Sequence, residues 1–153
     1  MSGGDNMEII TMGEKFKGKY SFRETCFGIV RKGNEILIIN KDNQYSLVGG
    51  GIEEGETLGE CLKREFLEET GYIITNYKEF ICLDCYWLAD NKYPLLSRAN
   101  IFEVEIDFIN KKEARESNCY LDWIDINEAS KLLPLPYQRM AIEWYTEKYL
   151  KKD

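Results

Sequence analysis

Glu53, Glu54, Glu56, Glu60, Glu65, Glu68 and Glu69 crowd into the stretch from Gly49 to Tyr72 (GGGIEEGETLGECLKREFLEETGY), where the only bases are Lys63 and Arg64. Seven carboxylates on one turn and one helix repel one another. A divalent cation with hard oxygen ligands would remove that repulsion. The chain has no histidine, which excludes Ser-His-Asp and Cys-His catalysis and histidine-ligated metals. A general base must then be a carboxylate, working alone or with a metal-bound water.

Local structure around these acids follows from spacing. Thr57 and Glu60 form a capping box, so a helix is predicted to start at Leu58, and Gly71 can take the left-handed conformation that stops it. Gly49, Gly50, Gly51 and Gly55 are expected to be loop residues with accessible carbonyls. At about 100° per residue, Leu58, Cys61, Leu62 and Phe66 form one apolar arc, and Glu65, Glu68 and Glu69 fall within or beside it. An acidic run on a helix is ordinarily a solvated face. Here the phase turns the acids toward the protein body, where they lose hydration or gain protons unless a cation compensates. Arg64, beside Glu65 and one turn before Glu68, can fix a carboxylate through a bidentate contact that lysine would make less well.

Gly50, five residues, Glu56, seven residues, Arg64-Glu65, then Glu68-Glu69-Thr70-Gly71 resembles the signature of the Nudix hydrolases, which cleave a nucleoside diphosphate linked to another moiety X. Three positions depart from it: Val48 stands where a proline is common, Gly51 is a third consecutive glycine, and Tyr72 replaces an aliphatic residue. The resemblance implies that Glu65, Glu68 and Glu69 bind metal, that the Gly50 carbonyl is a further ligand, and that Arg64 orients the cluster. It also implies that Glu56 contributes from the loop, and that Mg²⁺ is the cofactor, with Mn²⁺ able to substitute. The general base is a signature glutamate or an acid on a later loop, for which Glu113 and Glu116 are the candidates; both also read as ordinary solvated charges.

Resemblance to the mutator-type members implies a nucleoside triphosphate substrate, oxidised forms such as 8-oxo-dGTP included, cleaved to the monophosphate and pyrophosphate. ADP-ribose or a nucleotide sugar is the alternative. A non-catalytic nucleotide-binding regulatory module is the alternative of another class, and the complete set of signature acids argues against it. A calcium-loop reading lacks the required alternation of Asp and Asn. Outside the signature, Tyr86 and Trp87 are candidates to stack on a base and Lys41 to meet a phosphate, although packing and surface roles are commoner for such residues.

The elements that must position these groups are legible in outline. Thr25–Arg31 and Glu35–Asn40 read as strands around a Lys32-Gly33-Asn34 turn, a hairpin leading toward the acidic loop through Tyr45–Val48. Glu79–Trp87, Asn100–Phe108 and Leu121–Ile124 read as further strands. Asn127 is expected to cap a helix that runs through Leu133 and is ended by Pro134 and Pro136; a last helix covers Tyr137–Lys151. This order predicts an α/β fold, an α/β/α sandwich with a mixed β-sheet, which is also what the resemblance implies. One domain is expected for 153 residues with 44% hydrophobic content. Residues 1–20 form an arm or an edge strand at Glu8–Thr11, and 21–153 form the domain, with the signature at 50–72.

A net charge of −7 disfavours duplex nucleic acid as a partner. It is compatible with a small nucleotide, because bound Mg²⁺ inverts the local field. There is no secretory signal and no apolar stretch able to span a bilayer, and the five cysteines are odd in number; a cytoplasmic protein without a membrane partner is expected. Cys82 and Cys85 have the spacing of half a zinc or redox site, but no second pair exists and strand alternation sends the thiols to opposite faces. Monomer and homodimer are both open, since 13% aromatic content serves a core or an interface equally.

Overall fold

Both ends of the predicted acidic helix form as expected. In a computed structural model, which describes residues 9–15, 17–90, 92–114, 116 and 118–150, helix α1 spans Leu58–Thr70. Thr57 Oγ1 accepts from the Glu60 N–H at 3.1 Å, and Glu60 Oε1 accepts from the Thr57 N–H at 2.9 Å. Gly71 closes the helix at φ 78°, and a β-carbon there would run into the Lys112 carbonyl.

In chain order the strands are β1 (Ile9–Met12), β2 (Ser21–Ile29), β3 (Arg31–Lys32), β4 (Glu35–Lys41), β5 (Gln44–Ser46), β6 (Val48–Gly51), β7 (Ile74–Ala89), β8 (Tyr93–Ile106) and β9 (Cys119–Asp125). They form two sheets. One runs β1-β7-β8-β2-β6, with β1 parallel to β7, β2 parallel to β8 and the other pairs antiparallel. The second is built on β4, which pairs antiparallel with β3, β5 and β9. Helix α1 covers one face, packing Cys61, Leu62 and Phe66 on Cys26, Val30, Leu37 and Val48. Helices α2 (Ile126–Leu132) and α3 (Pro136–Tyr149) cover the other, where Ile126, Leu133 and Ile142 meet Phe27, Ile38, Leu83 and Ile101. The result is the expected α/β/α sandwich.

Several elements differ from expectation. The Gly33-Asn34 turn does make a hairpin, but only Arg31 and Lys32 pair across it, with Ile36 and Glu35. Residues Thr25–Ile29 belong to the other sheet, between β6 and β8. Cys26, Phe27 and Ile29 are all buried, the mark of a central strand covered on both faces. The glycines at 49–51 are not loop: they end β6, opposite Phe27, Cys26 and Thr25. β7 and β8 are longer than predicted and form one extended hairpin, whose register slips between Ile74 and Asn76 and between Glu79 and Ile81. β8 stops at Ile106, because Asp107 Oδ1 accepts from the N–H groups of Ile109 and Asn110 at 2.9 and 3.0 Å and turns the chain before Phe108.

The cap of α2 is Asp125, accepting from Asn127 N–H at 2.9 Å, rather than Asn127 itself. Pro136 opens α3 at its first turn instead of closing α2. The expected edge strand is β1, and the predicted Glu8 and Lys151 lie outside the described residues.

Candidate active site

Arg64 organises the acids more thoroughly than its spacing suggested. Its Nε lies 2.6 Å from Glu56 Oε2 and 3.0 Å from Glu53 Oε1. Nη1 donates to Glu65 Oε1 at 2.9 Å and Glu68 Oε2 at 3.2 Å. Nη2 donates to Glu56 Oε1 at 3.0 Å and the Gly51 carbonyl at 3.1 Å. A planar fork with five N–H groups can serve this many acceptors; an ammonium cannot. The Arg64 guanidinium, with the Glu53 N–H, holds the Glu56 carboxyl down at about 2.

Glu65 and Glu69 face the protein interior, as the helical phase predicted, with 8% and 2% of their surface exposed. Burial pushes the Glu69 carboxyl up to about 8, against the pull of the Gly49 N–H, which donates to Oε1 at 2.9 Å. Burial also raises Glu65, and Arg64 works against it. Lys41 closes the cluster from β4, 3.4 Å from Glu69 Oε2 and 2.9 Å from Glu116 Oε2. The segment is therefore not held apart by repulsion as its composition suggested: Arg64 and Lys41 interleave with the acids.

Whether a divalent cation suits this place can be judged from the donors. Among the described residues no three acidic or thiol groups already converge as a ready ligand set, because Arg64 and Lys41 take up carboxylate oxygens. Yet every donor is a hard oxygen, two acids are buried at an energetic cost, and the opposing strand leaves room for them. A β-carbon on Gly50 would stand 2.8 Å from Glu65 Oε1. These features fit Mg²⁺-like ions. The Gly50 carbonyl lies over buried thiols, 3.8 Å from Cys61 Sγ, and Cys61 Sγ is 2.7 Å from Cys26 Sγ.

The cluster opens into a cavity of about 270 Å³, lined by Arg23, Thr25, Lys41, Glu65, Glu69 and Tyr137 among others. The NUDIX domain profile matches residues 22–145. The chain belongs to the Nudix hydrolase family. Its signature is local: 42% identity over 55 residues to the NAD-capped RNA hydrolase NudC of Vibrio cholerae spans 33% of this chain and 20% of that protein. An ADP-ribose pyrophosphatase of Methanocaldococcus jannaschii is 45% identical over 51 residues, 30% of each chain. The chain thus aligns with a third or less of the length of these relatives.

The likeness in Nudix fold is broader. A MutT protein from Bacillus halodurans superimposes with a TM-score of 0.65 at 20% identity, over 79% of this chain and 80% of that one. A MutT protein from Methanosarcina mazei gives 0.63 at 18% identity, over 88% and 100%. Enzymes of this family generally use divalent cations.

Against this Nudix frame, the predicted residues divide. Glu56, Glu65 and Glu68 share Arg64, while Glu69 and Glu116 share Lys41. Glu113 stays exposed. Tyr86 and Trp87 do not line the cavity: Tyr86 packs edge-on against Tyr20 at 5.4 Å, and Trp87 Nε1 donates to Ser97 Oγ at 2.9 Å. Cys82 and Cys85 do point to opposite faces, Cys82 toward Asn100 Oδ1 at 3.5 Å and Cys85 into the core beneath α3.

Sequence reasoning missed Arg23 and Gln138. Gln138, fully buried at the start of α3, accepts from Leu47 N–H at 2.9 Å and donates to Ser46 Oγ at 3.3 Å, pinning the chain just before the glycines. Gln138 lies 91 and 92 positions from these two partners, so no local spacing announces it. Among the described residues no helix is long and apolar enough to cross a membrane.

Proposed function

We propose that this Nudix protein hydrolyses the diphosphate linkage of a nucleoside diphosphate joined to X, with Mg²⁺, or Mn²⁺ in its place, held by Glu65, Glu68 and Glu69. The observation that carries the reading is the pair of buried carboxylates, Glu65 and Glu69, facing a glycine strand and a cavity that Arg23 and Lys41 also line. When bound, the cation would neutralise charge on the diphosphate and lower the pKa of water.

The chain's own residues do the rest. Arg64 fixes Glu56, Glu65 and Glu68 in one geometry, so little reorganisation is needed when the ligands engage. Glu68 is the least buried signature acid, with 27% side-chain exposure against 10% for Glu65 and 2% for Glu69. It is therefore the acid best placed to exchange a proton with water. Glu116 is anchored beside it, its N–H donating to the Glu68 carbonyl at 3.0 Å, and serves as the second proton acceptor. Cleavage adds water across one P–O–P bridge, with the proton taken by the carboxylate and the leaving phosphate departing as an anion.

Nucleoside triphosphates, 8-oxo-dGTP among them, are the first substrate class. A cavity of about 270 Å³ is below the usual size for enclosing a whole two-ended ligand, and a triphosphate has only phosphate at its second end. ADP-ribose and nucleotide sugars are the second reading, favoured by the local identity to the archaeal ADP-ribose pyrophosphatase. The test is release of pyrophosphate or phosphate from a panel of triphosphates, ADP-ribose, nucleotide sugars and diadenosine polyphosphates, with and without Mg²⁺. Metal-dependent turnover that Glu68→Gln abolishes is the expected result. Tight nucleotide binding without turnover of any member would overturn it in favour of a regulatory binding module.

A further inference from the structure

We infer that Arg23, near the start of β2, binds a phosphate of the substrate, and that the absence of a branched side chain at residue 51 leaves that guanidinium room. The inference rests on the hydrolase reading and deepens it. A nucleotide polyphosphate brings several negative charges into a cavity already lined by Glu65 and Glu69. A divalent cation offsets part of that charge; the remainder calls for a protein cation not already committed.

The other cations are committed. Lys41 faces Glu69 at 3.4 Å and Glu116 at 2.9 Å, and those carboxylates outweigh burial to hold its ammonium above its ordinary pKa. Arg64 is shared among Glu53, Glu56, Glu65 and Glu68. Arg98 forms a bidentate pair with Asp84 at 2.8 and 3.0 Å and does not line the cavity. Arg23 lines it, is exposed, and makes no side-chain hydrogen bond or ion pair among the described residues. A surface arginine is ordinarily only solvated, but this one lies beside Gly51 and lines the same cavity as Glu65 and Glu69.

Its position is set by Gly51. A β-carbon at Gly51 would stand 3.4 Å from Arg23 Nη2 and 3.5 Å from Nε, so the guanidinium lies along that residue. The same residue's carbonyl accepts from Arg64 Nη2 at 3.1 Å. Arg23 therefore lies beside Gly51 and Glu65 beside the adjoining Gly50, and both line the one cavity. Gly51 does not have a positive φ, so its backbone does not require glycine, and the Nudix signature does not ask for one there. A methyl group would fit at ordinary contact distance; a branched side chain would lie across the guanidinium.

Calorimetry with methylenediphosphonate and Mg²⁺, together with steady-state kinetics on whichever panel nucleotide is turned over, tests this on Arg23→Ala, Arg23→Lys and Gly51→Val. Arg23→Ala should weaken diphosphonate binding and raise KM by ~10- to 100-fold, the range for losing a charge-assisted phosphate contact. Arg23→Lys should recover part of this, Gly51→Val should resemble Arg23→Ala, and kcat should stay within about threefold, as for a contact made equally in ground and transition states. Wild type that fails to bind the diphosphonate, Arg23→Ala that binds it as wild type does, or a loss confined to kcat overturns the proposal. A wild type that binds diphosphonate through Arg23 yet hydrolyses nothing sinks the hydrolase reading alone.

Discussion

Replacing Glu69 by glutamine should make the metal-free protein more stable at alkaline pH while removing its response to metal. In the folded chain burial lifts this carboxyl from 4.5 to about 8, whereas the unfolded chain titrates it near the ordinary value. A group raised in this way lends stability that is fully present below the unfolded pKa and is lost as pH rises through the folded one. Each pH unit between those limits removes ~1.4 kcal/mol, so moving from pH 5 to pH 8 has a ceiling of roughly 4 kcal/mol. Proton sharing with Glu65, also raised, spreads the transition, and about 2 kcal/mol is the expected change. Glutamine keeps an acceptor for the Gly49 N–H, which Glu69 now serves at 2.9 Å, and Lys41 keeps Glu116.

The assay is thermal unfolding of both proteins in EDTA at pH 5 and pH 8.5. Titrations not coupled to Glu69 cancel in the difference between them. The variant should melt within a degree or two of wild type at pH 5 and about 4–8 °C above it at pH 8.5, from about 2–4 °C per kcal/mol for a chain of this size. Mg²⁺ at pH 8.5 should raise wild type and leave the variant nearly unmoved. A difference that is the same at both pH values would refute the reasoning, because Glu69 would then act only as a hydrogen-bond acceptor.

Glu56 should behave in the opposite sense. Held at about 2 by Arg64, it contributes stability present above about pH 4.5 and lost as pH falls toward 2, so Glu56→Gln should destabilise at pH 7 and be nearly silent in acid melts. Arg64→Ala leaves Glu65 buried without its partner and should cost about 2–4 kcal/mol by urea denaturation, while Arg64→Lys recovers the charge but not the fork and should remain at least ~10-fold down in kcat/KM. Gly49→Ala should destabilise by about 2–4 kcal/mol, because φ is 152° and a β-carbon would strike the Cys26 carbonyl. Gly51→Ala, with its nearest neighbour at 3.4 Å, should melt like wild type. Gln138→Leu strands the buried Leu47 N–H and should cost about 1–3 kcal/mol, with a rise in KM as the glycine strand loosens.

What could be read from the sequence was short-range. The Thr57–Glu60 box, the Gly71 stop and the inward phase of Glu65 and Glu69 all arise within four residues of one another, where helix geometry leaves no choice. Strand existence was legible for the same reason, but strand partners were not. β2 and β4 are neighbours in sequence, separated by a turn any reader would join, yet they lie in different sheets. The deciding factor is that β2 is buried on both faces and must find a neighbour on each edge, a demand that only distant β8 and the glycine strand satisfy. The glycines misled in the same way: their freedom reads as loop, but β6 needs Gly49 and Gly50 because side chains there would strike β2 or the Glu65 carboxylate.

The site's cations show why even a nearly complete signature underdetermines function. The signature supplies the acids and the arginine that binds them, which is what the proposed metal site and phosphate-bridge cleavage need. It supplies nothing that must meet X, and aromatic residues chosen by proximity to a strand end, Tyr86 and Trp87, turned out to serve packing and a hydrogen bond to Ser97. The groups that do reach the cavity, Arg23 from β2 and Tyr137 from α3, are brought there only when the two sheets and the second helical layer assemble. On the proposed reading, selectivity is thus a property of tertiary packing laid over a local motif, so substitution of Gln138 should redistribute KM among substrates and substitution of Arg23 should raise KM for all of them, while those at Glu65, Glu68 and Glu69 silence all of them together.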